Sequence, residues 1–255
     1  SSIGFELLHW EHNLYNYGSA PGVPYSDMNG YGHFLAGALW YDAYWSACAL
    51  ILLIVAALFW PRGLGEGWRV RWREARARCS RPVALALAAA ALAFVGLGAF
   101  IFWNTNVLNT WRNSTAQKMQ RVNYEKQYAK LADLPQPRIT AVSADVDIHP
   151  YTRRLDVRAH YTLVNRHAVP IDRLFVNWDG DLAPVTVEFP EHTVLERDDD
   201  LNVVIYKLAK PLAPGASMRF DFTLAYAPRG FSNTPDGQFL AHNGTFFSNA
   251  RFPQF

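Results

Sequence analysis

The pattern of apolar and polar residues changes twice along this chain. Two long apolar runs come first, Leu39–Trp60 and Val83–Trp103, of 22 and 21 residues. With about 1.5 Å of rise per residue, either run would reach roughly 30 Å as an α-helix, which is the thickness of a bilayer's hydrocarbon core. We therefore predict a membrane α-helical hairpin of two transmembrane helices over 39–103. Residues 1–38 are predicted to be a polar-aromatic loop with an interfacial segment.

From Arg138 onward, apolar residues recur at every second position. Val142–Ile148 and Leu155–Leu163 alternate in this way around Pro150–Arg153, which predicts a β-hairpin with one buried face. Further strand-like runs, separated by turn residues, are Leu174–Trp178, Val185–Phe189, Asn202–Leu208 and Ser217–Tyr226. Short strands without intervening helices are typical of antiparallel sheets. The pattern predicts an all-β antiparallel sandwich or saddle domain over 138–255.

Residues 104–137 join these two regions and keep a polar helical character as far as Pro135 and Pro137. Proline ends a helix because it has no amide proton to donate. We therefore expect a stalk helix that continues the second span, followed by a linker.

The charge of the loop between the apolar runs predicts an orientation. No Lys or Arg occurs in the first 33 residues, and only Glu66 and Glu74 oppose the arginines of loop 61–82. Short loops rich in Lys and Arg stay on the cytoplasmic side of a membrane. The loop is expected to be cytoplasmic, with both chain ends and the β-domain in the periplasm of a bacterium. Its arginines are Arg62, Arg69, Arg71, Arg73, Arg76, Arg78 and Arg81.

Lipid is the partner that these features favour. Anionic headgroups and topology explain an arginine loop between two spans better than nucleic acid does, so we expect a lipid bilayer and no nucleic acid. Indole rings settle at the headgroup level, and Trp68 and Trp72 have the spacing of an amphipathic helix. The tryptophans expected to contact lipid are Trp40, Trp45, Trp60, Trp68, Trp72 and Trp103.

The second apolar run is dominated by small residues. Small side chains let helix backbones approach closely inside a membrane. We predict that this run packs against other helices, in this chain or in partner subunits of a membrane complex. The helix-packing residues are expected to be Ala84, Ala88, Ala89, Ala93 and Gly96.

Candidate chemistry is sparse. His9, Glu11 and His12 form the only tight His/carboxylate cluster, but a third ligand is missing, so an interfacial polar patch is favoured over a metal site. Asp179-Gly180-Asp181 and Asp198–Asp200 are interpreted as solvated turns. No H-E-x-x-H and no phosphate-binding G-x-x-x-x-G-K-[ST] loop occurs. We expect no catalytic residue, no cofactor and no metal in this chain.

One segment and the β-region resemble a known family. Tyr25-Ser26-Asp27-Met28-Asn29-Gly30-Tyr31-Gly32-His33-Phe34 leads directly into the first apolar run. It resembles a bacterial family in which an ABC-2-type permease is fused to a domain like the M1 (gluzincin) aminopeptidases. The opening hairpin, Ala225-Tyr226 and Asn243–Phe247 are similar to the β-domain that precedes the catalytic domain in M1 enzymes. The resemblance implies that this chain corresponds to the last transmembrane hairpin of such a fusion plus the N-terminal β-domain of its M1-like part.

Two functions follow from the resemblance. M1 enzymes bind zinc through H-E-x-x-H, and the family's peptidase domain would lie beyond residue 255. The first function is a non-catalytic, membrane-anchored relative that acts as an accessory or scaffolding subunit of a larger inner-membrane complex. The alternative is the junction region of an intact permease–zinc-peptidase fusion involved in peptide processing or export.

Overall fold

A computed structural model describes residues 11–28, 30–60, 67–182, 184–234, 240–241, 244–245 and 248–255. These residues cluster into two compact units. The helical unit consists of the described residues of Ser1–Ser26, Tyr31–Asn113 and Arg229–Asp236. The β unit consists of those of Asp27–Gly30, Ser114–Pro228 and Gly237–Phe255. Residues 114–137 belong to the β unit in this division.

In its described residues, the helical unit contains three α-helices. These are α1 (Phe34–Phe59), α2 (Trp68–Arg78) and α3 (Arg81–Phe102). The α1 helix begins five residues before the predicted run, because Phe34–Ala38 continues its apolar character. Pro82 occupies the first turn of α3, where its missing amide proton costs no helical hydrogen bond.

Helices α1 and α3 are long enough and apolar enough to cross a membrane. Within the most apolar 18 residues of each, only 6% and 11% are buried in this chain. Large apolar side chains such as Leu53 and Leu92 are 67% and 75% exposed. A core helix of a soluble protein would bury most of these side chains. The exposure is therefore compatible with membrane spans.

The two long helices pack through one face of each. Tyr41 and Tyr44 of α1 form a cluster with Ile101 of α3, and Phe94 and Leu97 pack against it. The rings of Tyr44 and Phe94 stack with centroids 4.5 Å apart.

A π-helical segment, Trp103–Leu108, follows α3, and the helix then stops. Asn109 has an extended backbone (φ −122°, ψ 152°), and a separate helix, α4 (Ser114–Tyr128), begins five residues later in the β unit. The expected stalk therefore consists of a separate helix and does not continue α3 without interruption. The reason is local: the side-chain amides of Asn104, Asn106 and Asn109 donate to backbone carbonyls and compete with helical hydrogen bonding.

The β unit contains the predicted hairpin and strands, all antiparallel. The strands are β1 (Arg138–His149), β2 (Arg154–Val164), β3 (Ile171–Asn177), β4 (Pro184–Glu188), β5 (His192–Asp198), β6 (Val203–Leu212), β7 (Ser217–Tyr226), β8 (Leu240–Ala241) and β9 (Gly244–Thr245). They form sheets with the orders β1-β2-β7-β4, β3-β6-β5 and β8-β9. Of these, β5, β8 and β9 were not predicted. Most side chains of β5 are exposed and its apolar alternation is short, and β8 and β9 are two residues long each.

One hydrophobic cluster joins the two larger sheets. Alternate residues of β2 and β7 are buried, and so are residues of β3 and β6, which lie in the other sheet. The largest fully buried members are Tyr161, Phe220, Phe222, Leu155, Leu163, Ile171, Leu174, Leu182, Leu224 and Leu240. The α4 helix adds a smaller cluster in which Tyr128 packs with Val203 and Ile205.

The predicted buried face of the first hairpin is correct for β2 but wrong for β1. Val142 pairs with Tyr161 and Val146 pairs with Val157, so each valine lies on the same face as a buried partner. Val142 and Val146 are nevertheless 43% and 39% exposed, whereas Tyr161 and Val157 are buried. The reason is position: β1 is the edge strand, and the core residues of the second sheet cluster with β2 and β7 instead.

Candidate functional site

The end of α1 is capped by an arginine from α2. Nη1 of Arg78 donates to the backbone oxygens of Leu58 and Trp60, at 3.1 and 2.8 Å. Its Nη2 donates to Glu74, one turn earlier in α2, at 2.8 Å. The last carbonyls of a helix have no helical partner, and a cation there also complements the helix dipole. Arg78 therefore holds α2 against the end of α1.

Replacing Arg78 by alanine is expected to lower the free energy of unfolding of the helical unit by about 2 kcal/mol, because two carbonyls lose a charged donor. Seven of the eight described tryptophans belong to this unit, so tryptophan fluorescence during denaturation in detergent reports its unfolding. Arg76→Ala is the matched control, since Arg76 is exposed on the same helix. Equal losses in both variants would contradict the capping role.

The other predicted lipid-contact residues are distributed over both ends of the helical hairpin. Arg62 lies outside the described residues, while Arg69, Arg71, Arg73, Arg76 and Arg81 are exposed. Trp40, Trp60, Trp68, Trp72 and Trp103 are exposed as well. Trp45 is partly buried, and its Nε1 donates to the backbone oxygen of Ser19 at 2.9 Å. Lipid contact by these residues stays a prediction.

The predicted helix-packing residues do not face α1. Ala84, Ala88, Ala89, Ala93 and Gly96 are all exposed. The close approach instead uses Gly98, where an added Cβ would lie 3.0 Å from Cε2 of Tyr44, whereas a Cβ at Gly96 would meet nothing within 4 Å. The larger side chains of Phe94, Leu97 and Ile101 select which face of α3 meets α1. Sequence composition alone did not distinguish the two glycines.

Gly98→Leu is expected to destabilise the helical unit by about 1–3 kcal/mol, because the added side chain would overlap Tyr44. Gly96→Leu makes the same chemical change at an open position of the same helix, so it should leave the stability nearly unchanged. Denaturation in detergent, followed by tryptophan fluorescence, compares the two. A loss of the same size at Gly96 would show that α1 and α3 do not pack as described.

At the opposite end of the hairpin, a buried histidine is built into a hydrogen-bond network. His12 is 2% exposed. Its Nδ1 accepts a hydrogen bond from the backbone N–H of Leu14 at 3.1 Å, and its Nε2 lies 3.0 Å from Oγ1 of Thr105. The hydroxyl of Thr105 in turn donates to the backbone oxygen of Ile101. Because Nδ1 accepts, this pattern assigns a neutral ring with its proton on Nε2. Burial lowers the pKa of His12 to about 4.

This use of His12 bears on the predicted His/carboxylate cluster. His9 lies outside the described residues, and both nitrogens of His12 are engaged by protein atoms. Within the part of the chain that the structure describes, no group of three or more His, Cys, Asp or Glu side chains is placed to hold a metal. The sequence did not predict this network because His12 and Thr105 are 93 residues apart. The polar run Asn104-Thr105-Asn106, directly after an apolar run, is the local feature that could have indicated it.

A distant segment of the chain completes this network. Oδ1 of Asn233 accepts hydrogen bonds from the hydroxyl of Tyr41 at 2.9 Å and from the backbone N–H of Asn13 at 3.1 Å. Nδ2 of Asn109 donates to the backbone oxygens of Arg229 and Phe231. Gly230 has a φ of +59°, and a Cβ there would collide with the side chain of Asn104. The segment therefore ties the N-terminal loop to the ends of α1 and α3.

In the β unit, each of the two acidic turns has a carboxylate that contacts other protein groups. Oδ2 of Asp179 accepts a hydrogen bond from Nη1 of Arg251 at 2.7 Å. Oδ1 of Asp198 accepts the amide of Leu201, as in a turn. These contacts assign both carboxylates to turn and ion-pair roles.

Comparisons with known proteins give only distant similarity. No protein-family model and no curated protein matches the chain. Among solved structures, an M1 zinc metallopeptidase from Deinococcus radiodurans has a TM-score of 0.30 and 13% identity, covering 43% of this chain and 30% of that chain. A mutant of this kind, bound to a Tyr-Ser-Ala substrate, has a TM-score of 0.30 and 15% identity, covering 37% of this chain and 21% of that chain.

These structures are weak neighbours. This chain spans less than a third of their length. They are M1 zinc metallopeptidases, and neither is a permease, so the permease part of the resemblance gains no support from them.

Proposed function

We propose that this chain is a non-catalytic, membrane-anchored accessory or scaffolding subunit of a larger bacterial inner-membrane complex. The observation that carries the proposal is a pair of long apolar helices with exposed sides in the same chain as a folded antiparallel β unit. In water, this exposed apolar surface would be costly, whereas lipid or partner helices would cover it. The β unit then forms a sandwich that is available to partners outside the membrane.

Topology follows from the charges. Five of the arginines of loop 61–82 are exposed in its described part, and Arg78 is part-buried. The positive-inside rule assigns this connection to the cytoplasm and both chain ends to the periplasm. The helices are two transmembrane spans in this proposal. The exposed small residues Ala89, Ala93 and Gly96, at helical spacing on α3, are available to helices of partner subunits.

A second candidate is the junction region of an intact permease–zinc-peptidase fusion, which would take part in peptide processing or export. The observation that favours it is the Tyr25–Phe34 motif followed by a candidate span and a β-hairpin. In this case the β unit would support an M1-like peptidase.

The size of the native polypeptide distinguishes the two candidates. An antibody raised against the β unit is used on inner membranes, with denaturing and native gels side by side. The accessory subunit is expected near 29 kDa after denaturation and in a much larger assembly under native conditions. A far larger denatured polypeptide with zinc-dependent aminopeptidase activity would support the fusion instead.

A band of the same small size on both gels would contradict the accessory role. Gly96→Leu sharpens this test, because it adds bulk at an open position of α3. We expect it to leave the chain folded and to dissociate the native assembly.

A further inference from the structure

The arginines of α2 do not share one environment. Arg69, Arg73 and Arg76 are spaced by four and three residues, which aligns them on one face of the helix, and all three are exposed. Arg71 projects from a different side because two residues turn an α-helix by about 200°. Arg78 is occupied by the carbonyls of Leu58 and Trp60. We call Arg69, Arg73 and Arg76 the arginine face.

The positive charge of the arginine face is not neutralised by the described protein. Glu74 is the one acid within α2, and it is bonded to Arg78. Among the described residues, no carboxylate forms an ion pair with Arg69, Arg73 or Arg76, although Arg69 lies over the ring of Trp68 at 5.9 Å. The face is therefore a concentrated cationic surface that has no carboxylate partner within the described part of the chain.

The helix that carries this face is fixed at the end of an apolar span. The ring of Trp72 lies 5.6 Å from that of Phe59, the last residue of α1. Ala75 is buried, and Arg78 caps the last carbonyls of α1. Trp60 and Trp68 are 66% and 73% exposed beside this junction. Indole rings concentrate at the headgroup layer, so with α1 in a membrane these contacts would place the arginine face at the depth of lipid phosphates.

We propose that the arginine face binds the phosphate of an anionic membrane lipid of the phosphatidylglycerol type. The proposal rests on the proposed function, in which α1 and α3 span the membrane. A guanidinium presents a planar fork of donors that matches phosphate oxygens, and three forks at helical spacing surround one headgroup more closely than scattered charges would. The net negative charge of such a lipid supplies the missing anion, whereas a phosphatidylcholine headgroup carries its own cation.

The test compares two double variants of the full chain that remove the same charge. Arg69→Gln with Arg76→Gln removes two of the three arginines of the arginine face. Arg71→Gln with Arg81→Gln removes two exposed arginines of loop 61–82 that lie outside the face. Native mass spectrometry in detergent measures the Kd for phosphatidylglycerol, with phosphatidylcholine as the neutral reference. We expect the first variant to bind phosphatidylglycerol about tenfold more weakly and the second to change less than about twofold.

Equal weakening in both variants, or equal binding of the two lipids by the native chain, would overturn the proposal. Displacement of the lipid by inorganic phosphate at matched concentration would also overturn it, since the face would then select free phosphate. Vesicle flotation keeps this failure distinct from failure of the proposed function. Insertion without lipid selectivity would contradict only the headgroup site. Failure of the chain to insert would contradict both the headgroup site and the proposed function.

Discussion

Phe220→Ala is expected to lower the free energy of unfolding of the β unit by about 3–5 kcal/mol. Phe220 is fully buried on β7, and its ring contacts those of Tyr161, Phe189 and Phe255 at centroid distances of 5.1–6.3 Å. Alanine would leave a cavity in the cluster that joins the two larger sheets. Hydrogen exchange of peptides covering β2 and β6, one strand from each sheet, measures the loss in the full chain.

Val194→Ala is the control for this substitution. Val194 lies on β5 and is 56% exposed, so its truncation should cost less than about 0.5 kcal/mol. If Phe220→Ala exposed β2 to exchange but left β6 protected, the two sheets would not share one cooperative core. That result would contradict the cluster described here.

The stability of the helical unit is expected to depend on pH through His12. Burial lowers the pKa of His12 in the folded chain to about 4, against 6.5 for an unperturbed histidine. Between these values the unfolded chain binds a proton that the folded chain does not. Stability is therefore complete above about pH 6.5 and decreases as the pH falls toward 4, by roughly 3 kcal/mol in total. Denaturation in detergent at a series of pH values, followed by tryptophan fluorescence, measures this slope.

His12→Gln isolates the contribution of the ring. Glutamine does not titrate, so this variant should lose most of the dependence between pH 6.5 and 4, whatever its absolute stability. His33→Gln changes another histidine of the same unit and should keep the slope. A native slope that survives in His12→Gln would show that other groups cause it.

The strands with strict alternation were predictable from sequence. The bounds of Ser217–Tyr226 agree with β7 because buried and exposed residues alternate along its whole length. The β1 strand has the same alternation, but its exposure depends on how far the second sheet extends, which its own residues do not encode. The β5 strand was missed for the related reason that few of its side chains are buried.

The roles of the residues in the candidate site depend on contacts between helices, which the local sequence does not encode. Gly96 and Gly98 differ only in their register against Tyr44 of another helix. Arg78 and Arg76 are equivalent by composition, and only the position of α2 against α1 gives Arg78 its two carbonyls. The two long apolar helices and the charged connection between them were predictable because length, hydropathy and charge are local properties. The roles of Gly98 and Arg78 require the folded hairpin.

Thiol labelling tests the central claim that α1 and α3 span a membrane with the arginine connection inside the cell. Cys79, at the end of α2, is exposed in the described structure. In the first variant, Cys48 is replaced by serine, which leaves Cys79 as the single thiol. The second variant lacks both Cys48 and Cys79 and carries Tyr151→Cys, at a position in the β unit that is 90% exposed.

In spheroplasts, a membrane-impermeant maleimide should label the thiol introduced at position 151 but not Cys79, and detergent should make both reactive. Labelling of Cys79 without detergent, or protection of position 151, would contradict the account.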